Sequence, residues 1–266
     1  MFHWVKLILL SICLLIGACK PQNKNTLKVG TIAGPETQLM EVAKAVAKEK
    51  YDLNVQVIEF SDYTLPNAAL SDGSIDANMF QHQPYLDQQI KDRGYHLVAI
   101  GKVFIYPMGI YSAKIKNLND LRQEAIVAIP NDSSNEGRAL LLLEKAGLIQ
   151  LKKSAGLYAT PFDIEKNTKQ LKFKELDAAQ LPRSLPDVTI AIINTNYAIP
   201  AGLSPNKDAI YKEGPDSPYA NIIVVRESDV NNPRIKQLVA SIQSDAVLKT
   251  AKEIFNGYAI PAWKSH

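Results

Sequence analysis

The stretch MFQHQPYLDQQ, residues 79–89, brings Phe80, His82 and Tyr85 close together, with glutamines and a proline between them. An imidazole beside two aromatic rings can act as a metal ligand, as a general base, or as part of a pocket wall. A metal ligand needs companions. Beyond the N-terminal segment the other histidines are His96 and His266, with no cysteine to join them, which is a poor metal set. A base needs a nucleophile or a paired acid, and the chain has no Gly-x-Ser-x-Gly elbow, no Gly-x-Gly-x-x-Gly and no Walker loop. No pair of carboxylates is marked out for acid–base work either. The chain is therefore expected not to be an enzyme and to need no metal or cofactor. His96, next to Leu97 and Val98, reads as a structural residue of a strand.

A second chemistry-bearing stretch is PNDSSNEGRALLLL. A strand ends at Pro130, a polar turn follows, and a helix starts near Asn135, with Ser133 or Ser134 as the candidate N-cap and Arg138 in its first turns. Backbone N–H groups and the dipole at a helix start favour an anion. A guanidinium there can hold a carboxylate in two parallel bonds. Asn194 follows the apolar run VTIAII at a similar junction, and Asn221 sits within the long strand PYANIIVVRE. Ends of parallel strands share one rim of a sheet, so these junctions can converge.

The elements that must position these residues alternate. LKVGTIAG is a strand, the helical spacing of Leu39, Met40, Ala43, Val46 and Ala47 predicts a helix over 36–50, and LNVQVIEF is a second strand. This is a βαβ unit. A helix through HQPYLDQQIKDRG, stopped by Gly94, and the strand YHLVAIGKV continue the series. VFIYPMGIYS is extended, and its internal proline makes it an edge or crossing strand. A fresh α/β series follows: NLNDLRQ as a short helix, AIVAIP, the helix ending near Gly147, LKFKEL and VTIAII. The chain closes with helices over 233–256. Alternation of this kind means an α/β fold with parallel-rich sheets, here in two lobes with a cleft between them.

The N-terminus adds a location. Lys6 precedes an apolar run over 7–18, too short for a spanning helix of about 20 residues, and the pattern is that of a secretory signal. Ile16-Gly17-Ala18-Cys19 resembles a bacterial lipobox, which makes Cys19 the lipidated residue and 19–26 a polar tether. With Cys13 leaving in the signal, no disulfide is expected in the folded part. Lys+Arg 30 against Asp+Glu 27 is a near-balance, unlike the clustered basic face of a nucleic-acid binder.

DYTLPNAAL, IDANMFQHQPYLDQQ, PNDSSNEGRALLLL, ELDAAQLPRSL and VTIAIINTNYA, in this order and over nearly the whole mature chain, resemble the methionine-binding lipoproteins of bacterial ABC importers, the MetQ/NlpA family. The resemblance implies a type II-like periplasmic-binding-protein fold: a signal peptide over 1–18, lobe 1 over 27–107 and 213–266, and lobe 2 over 108–212. Crossing strands near residues 105–111 and 208–221 would act as the hinge. It implies a ligand, methionine as the L or D form, delivered to an ABC permease and its ATPase by a protein held at a membrane through its lipid. Arg138 would meet the ligand's carboxylate, Asn135, Asn194 and Asn221 its carboxylate or amine, and Tyr63, Phe80, His82 and Tyr85 would line the side-chain pocket. Aromatic rings suit a thioether sulfur, at about 0.3–1.5 kcal/mol per contact. His82 would then be a wall, its ring nitrogens free towards the ligand or Tyr85. The chain departs from the family pattern at Ser133-Ser134 and Glu136, where Pro-Thr and Leu are usual, and at Asn196, where threonine is frequent. Arg183 of QLPRSL reads as a structural ion-pairing residue. The alternatives are the same fold with a methionine-containing dipeptide or another apolar amino acid, or a surface lipoprotein with an adhesion role.

Overall fold

A computed structural model describes residues 26–263. The signal segment, both cysteines and nearly all of the tether lie outside these residues. The first series is β1 (Thr26–Ile32), α1 (Pro35–Tyr51), β2 (Asn54–Phe60), α2 (Pro66–Ser71), β3 (Ala77–His82), α3 (Gln83–Arg93) and β4 (Leu97–Ile105). The second is β5 (Gly109–Tyr111), β6 (Ile126–Pro130), α4 (Ser133–Lys145), the short antiparallel pair β7 (Gln150–Leu151) and β8 (Ile164–Lys166), β9 (Lys172–Leu176), α5 (Leu181–Ser184), β10 (Ile190–Ile193), α6 (Thr195–Ala198) and β11 (Tyr211–Lys212). The chain then returns through β12 (Ala220–Arg226), α7 (Pro233–Ile242), α8 (Asp245–Ile254) and β13 (Ile260–Pro261).

Two sheets result. One has six strands in the order β13-β4-β12-β3-β1-β2, the other five in the order β11-β5-β10-β6-β9. In each, three parallel strands are joined by an antiparallel strand reached through a crossing segment: β12 beside β3 in the first sheet, β5 beside β10 in the second. Helices cover both faces, as alternating strands and helices require. On the first sheet, Leu39, Met40, Ala43 and Ala47 of α1 pack with Leu238, Ile242, Val247 and Phe255 of the C-terminal segment. Leu70, Ile75 and Leu86 cover its other face, against Ile222 and Val224. Fully burying a side chain of this size contributes about 1.5–3 kcal/mol. In the second sheet, Leu140, Leu142 and Leu143 of α4 pack on Val127, Ile129, Ile190 and Ile192.

The chain passes between the sheets twice, at 106–108 and at 213–219. Pro107 lies in the first passage, where its missing N–H breaks no ladder, and β5 beyond it is an interior strand rather than an edge. The passages are tied together: Met108 N–H donates to Glu213 Oε2 at 2.9 Å, and Glu213 N–H to the Met108 carbonyl at 2.9 Å.

Local differences from the sequence reading have simple causes. The cap of α4 is Asp132 rather than a serine, because its carboxylate reaches the Asn135 N–H at 3.0 Å and starts the helix at Ser133. NLNDLRQ forms only a 3-10 turn over Leu118–Asp120. His96 precedes β4 and is exposed, facing Glu227. Arg183 is exposed and makes no ion pair among the described residues. The strand β3, ANMFQH, is buried at every position, so it lacks the alternation that marks a half-buried strand. Its polar members are satisfied laterally. Gln81 donates to Asn67 Oδ1 at 2.6 Å and to Asn78 Oδ1 at 3.0 Å, while Asn67 donates to Gln81 Oε1 at 2.8 Å.

Candidate ligand-binding site

The β-to-α junctions that follow β1, β2, β3, β6 and β10 open on one cavity between the sheets. The end of β1 delivers Glu36, β2 delivers Tyr63, and β3 with the start of α3 delivers Phe80, Gln81, His82 and Tyr85. From the other sheet, β6 and α4 deliver Asn135 and Arg138, and β10 with α6 delivers Asn194, Thr195 and Asn196. Tyr106 of the first passage and Asn221 at the start of β12 complete the lining. All eight residues singled out from the sequence, Tyr63, Phe80, His82, Tyr85, Asn135, Arg138, Asn194 and Asn221, therefore meet at this cavity. Glu36, Gln81, Tyr106, Thr195 and Asn196 were not assigned a role, although Glu36 and Asn196 follow strand ends by the same junction rule.

One side is aromatic. The Tyr63, Phe80 and Tyr85 rings lie 5.8–5.9 Å apart, with Tyr85 edge-on to both others, and Tyr85 Oη donates to the Tyr63 carbonyl at 2.8 Å. His82 closes the row, but its nitrogens are not free. Nδ1 accepts the Tyr85 backbone N–H at 3.2 Å, capping α3, so the ring proton sits on Nε2, which donates to Asn135 Oδ1 at 3.3 Å. Burial, followed by the Arg138 charge, lowers its pKa to about 3, and the ring stays neutral at physiological pH. It is a wall residue and a cap, with no hydrogen bond left to offer.

The other side is polar. Asp132 accepts both the backbone N–H and the Nδ2 of Asn135, and Asn135 Oδ1 also accepts Asn194 Nδ2 at 2.9 Å. Asn135 is thus saturated and orients Asn194. Arg138 is 4 % exposed, and its two parallel bonds go to a residue that sequence reasoning missed. Its Nε donates to Glu213 Oε1 at 2.8 Å and its Nη2 to Glu213 Oε2 at 2.5 Å. Nη2 also donates to the Tyr106 carbonyl at 3.0 Å, and the guanidinium lies 4.5 Å from the Tyr219 ring centroid. Only Nη1 has no hydrogen bond among the described residues. Sequence gave no sign of Glu213, because it lies in an irregular passage far along the chain.

Four buried polar atoms of the lining have no partner among the described residues: Glu36 Oε2, Tyr106 Oη, Asn194 Oδ1 and Asn196 Nδ2. The Asn221 side chain also makes no hydrogen bond among them. Such atoms are costly when buried dry, and a concave site that collects several is built to receive a polar group. Glu136, the departure beside Arg138, does not line the cavity; burial, then the charges of Glu175 and Asp132, raises its pKa to about 7. Bonds between the sheets close the cavity over: Tyr63 Oη donates to Asn196 Oδ1 at 2.8 Å, and Tyr158 Oη to the Pro84 carbonyl at 3.0 Å.

With this geometry in hand, comparisons with known proteins agree on a kinship. A family model described as NlpA lipoprotein matches residues 27–263. The D-methionine-binding lipoprotein MetQ of Salmonella typhimurium is 54 % identical over 254 residues, covering 94 % of each chain. An ABC-transporter periplasmic substrate-binding protein from Coxiella burnetii is 64 % identical, with a TM-score of 0.87 over 89 % of this chain and 100 % of that one. A nutrient-binding protein from Burkholderia cenocepacia, solved bound to methionine, is 55 % identical, with a TM-score of 0.88 over 89 % and 100 % of the two chains.

Proposed function

This chain belongs to the NlpA lipoprotein family, and from that premise we propose that it is a substrate-binding protein that captures methionine, L or D, for an ABC importer. The observation that carries this reading is one buried cavity lined on one side by aromatic rings and on the other by amides with a single guanidinium. An amino acid with an apolar, polarizable side chain is the ligand that such a cavity complements. Arg138 Nη1 and Asn221 would hold the carboxylate, Asn194 Oδ1 the amine, and Tyr63, Phe80 and Tyr85 the thioether, with Asn135 and His82 fixing their neighbours. The passages at 106–108 and 213–219 would be the hinge, so that lobe 1 (27–107 and 213–266) and lobe 2 (108–212) open for entry and close on the ligand. The role is that of a receptor rather than a catalyst, with the permease and its ATPase as partners.

Lipidation of Cys19 would hold the folded body at a membrane of the cell envelope. No helix among the described residues is long and apolar enough to cross one. Cys19→Ala should move the protein from the membrane pellet to the soluble fraction, and a variant that still pellets after a salt wash would refute the anchor. For the ligand, native mass spectrometry of the purified protein should find a bound mass equal to methionine. Calorimetry on protein stripped by partial unfolding and refolded should then show one-to-one binding of methionine. No heat with either enantiomer, in protein that has refolded, would remove the reading.

A further inference from the structure

Among the described residues the cavity is lined by one cation, Arg138, and one acid, Glu36. The cation is already matched by Glu213. The acid is matched by nothing. Glu36 stands at the start of α1, is 1 % exposed, and has no partner at Oε2. The groups that face it from neighbouring elements are Asn196 and Tyr197 of α6, Tyr63 of the loop before α2, and Tyr106 of the first passage. None of these carries a charge at neutral pH. No hydrogen bond of good geometry joins Glu36 to Asn196, whose Nδ2 is itself unpartnered.

An ionised carboxylate in such a place is expensive, so an empty cavity keeps the proton on. Burial pushes the Glu36 carboxyl up to about 8, against the weaker pull of its own backbone N–H and of Asn196. An apolar residue would fill the position without that cost, which makes the acid's place in a ligand cavity informative. The same lining offers two more oxygens without a partner among the described residues, Asn194 Oδ1 and Tyr106 Oη. Three acceptors suit the three donors of an ammonium group.

We propose that Glu36 is the counter-charge for the ligand's ammonium and exchanges its proton on capture: neutral in the empty cavity, it ionises as the ammonium enters, and the carboxyl proton leaves to bulk water. This rests on the receptor reading above and names a recognition residue and a proton linkage for the same cavity. With Arg138 shared between Glu213 and the ligand's carboxylate, the filled site carries one negative charge in excess. The N-termini of α1, α3 and α4, which all open on the cavity, favour that sign.

Linkage makes the proposal measurable. Below the pKa of the empty site, affinity should rise about tenfold per pH unit, because each binding event must displace a proton. The experiment is calorimetry of the stripped and refolded protein with L-methionine at pH 6, 7 and 8, in phosphate, HEPES and Tris. The dependence of the heat on buffer ionisation gives the protons released. About one should leave at pH 6 and 7 and about half of one at pH 8. Glu36→Gln should release none, bind with little pH dependence, and lose most against the wild type at pH 8. Buffer-independent heats in the wild-type protein would overturn the proposal, and that measurement decides alone if the variant does not fold. Equal proton release by a folded Glu36→Gln protein would also overturn it, placing the proton on the ligand or elsewhere. Binding without proton release removes this inference only, whereas no binding at all removes the receptor reading with it.

Discussion

Tyr63, Phe80, His82 and Tyr85 reach the cavity from the six-stranded sheet, and Asn135, Arg138, Asn194 and Asn196 reach it from the five-stranded one. The two groups spend their polar atoms differently. On the first side Tyr85 Oη and both His82 nitrogens are consumed inside the protein, which leaves ring faces and edges for the cavity. On the second side Asn135 is consumed in holding Asn194, while Asn194 Oδ1, Asn196 Nδ2 and Arg138 Nη1 have no hydrogen-bond partner among the described residues. Glu36, Tyr106 and Asn221 are the polar exceptions that the first sheet contributes. The comparison teaches that the five-stranded sheet presents amides and a guanidinium to the cavity, whereas the six-stranded sheet presents its aromatic rings together with Glu36, Tyr106 and Asn221. Residues of both sheets line the cavity, so under the proposed reading binding and closure would be coupled.

The largest effect should come from the polar side. Arg138→Ala removes the one cation, strands Glu213 in a buried position and leaves the ligand's carboxylate poorly paired. Breaking a buried pair costs about 3–5 kcal/mol, and each tenfold in affinity is about 1.4, so methionine binding should weaken roughly a hundredfold or more. Calorimetry checks this, with a melting curve to confirm that the protein is folded. Wild-type affinity in this variant would remove Arg138 from the head-group site.

Phe80→Ala tests the aromatic side and should give a smaller, selective effect. Loss of one ring–sulfur contact, about 0.3–1.5 kcal/mol, predicts a two- to tenfold fall in the preference for methionine over smaller apolar amino acids. Equal loss for every amino acid would mean that the ring supports the head group after all. Thermal stability should drop as well, because Phe80 is 3 % exposed and packs with Ile32 and Tyr85.

Tyr63→Phe deletes the hydroxyl that bonds Asn196 across the cleft while keeping the ring. A hydrogen bond of this kind contributes about 0.5–1.5 kcal/mol, so affinity should fall about two- to tenfold and selectivity should stay. Small-angle scattering should show less compaction than the wild type at half-saturating methionine. A change in selectivity without a change in closure would place Tyr63 wholly on the aromatic side.

Glu136→Leu sharpens the boundary of the polar side, because Glu136 is buried next to Arg138 yet outside the cavity. Methionine affinity should not change. Stability should. With its pKa raised from 4.5 to about 7, the folded chain holds this proton more tightly than the unfolded chain does. The stability that comes with the neutral carboxyl is full below about pH 4.5 and is lost as pH rises through about 7. The variant's gain in melting temperature should therefore be larger at pH 8 than at pH 5. An equal gain at both values would mean that the carboxyl is not strained by burial.

The sequence by itself settled the periodic and the local. Alternation of strands and helices set the fold class, and the helical spacing in α1 and the apolar run in α4 emerged at the expected places because each buries one face along a regular repeat. The aromatic cluster around His82 was readable because strand end and helix start are neighbours in the chain. Tertiary structure decided what depends on partners distant in sequence. Arg138 lies 75 residues from Glu213, and Tyr63 lies 133 from Asn196, so no spacing rule could pair them. It also decided which polar groups were left unspent. Glu36 and Asn196 look like ordinary members of helix starts until two sheets close over them. An atom's lack of a partner is a property of everything packed around it, and no stretch of sequence carries that information.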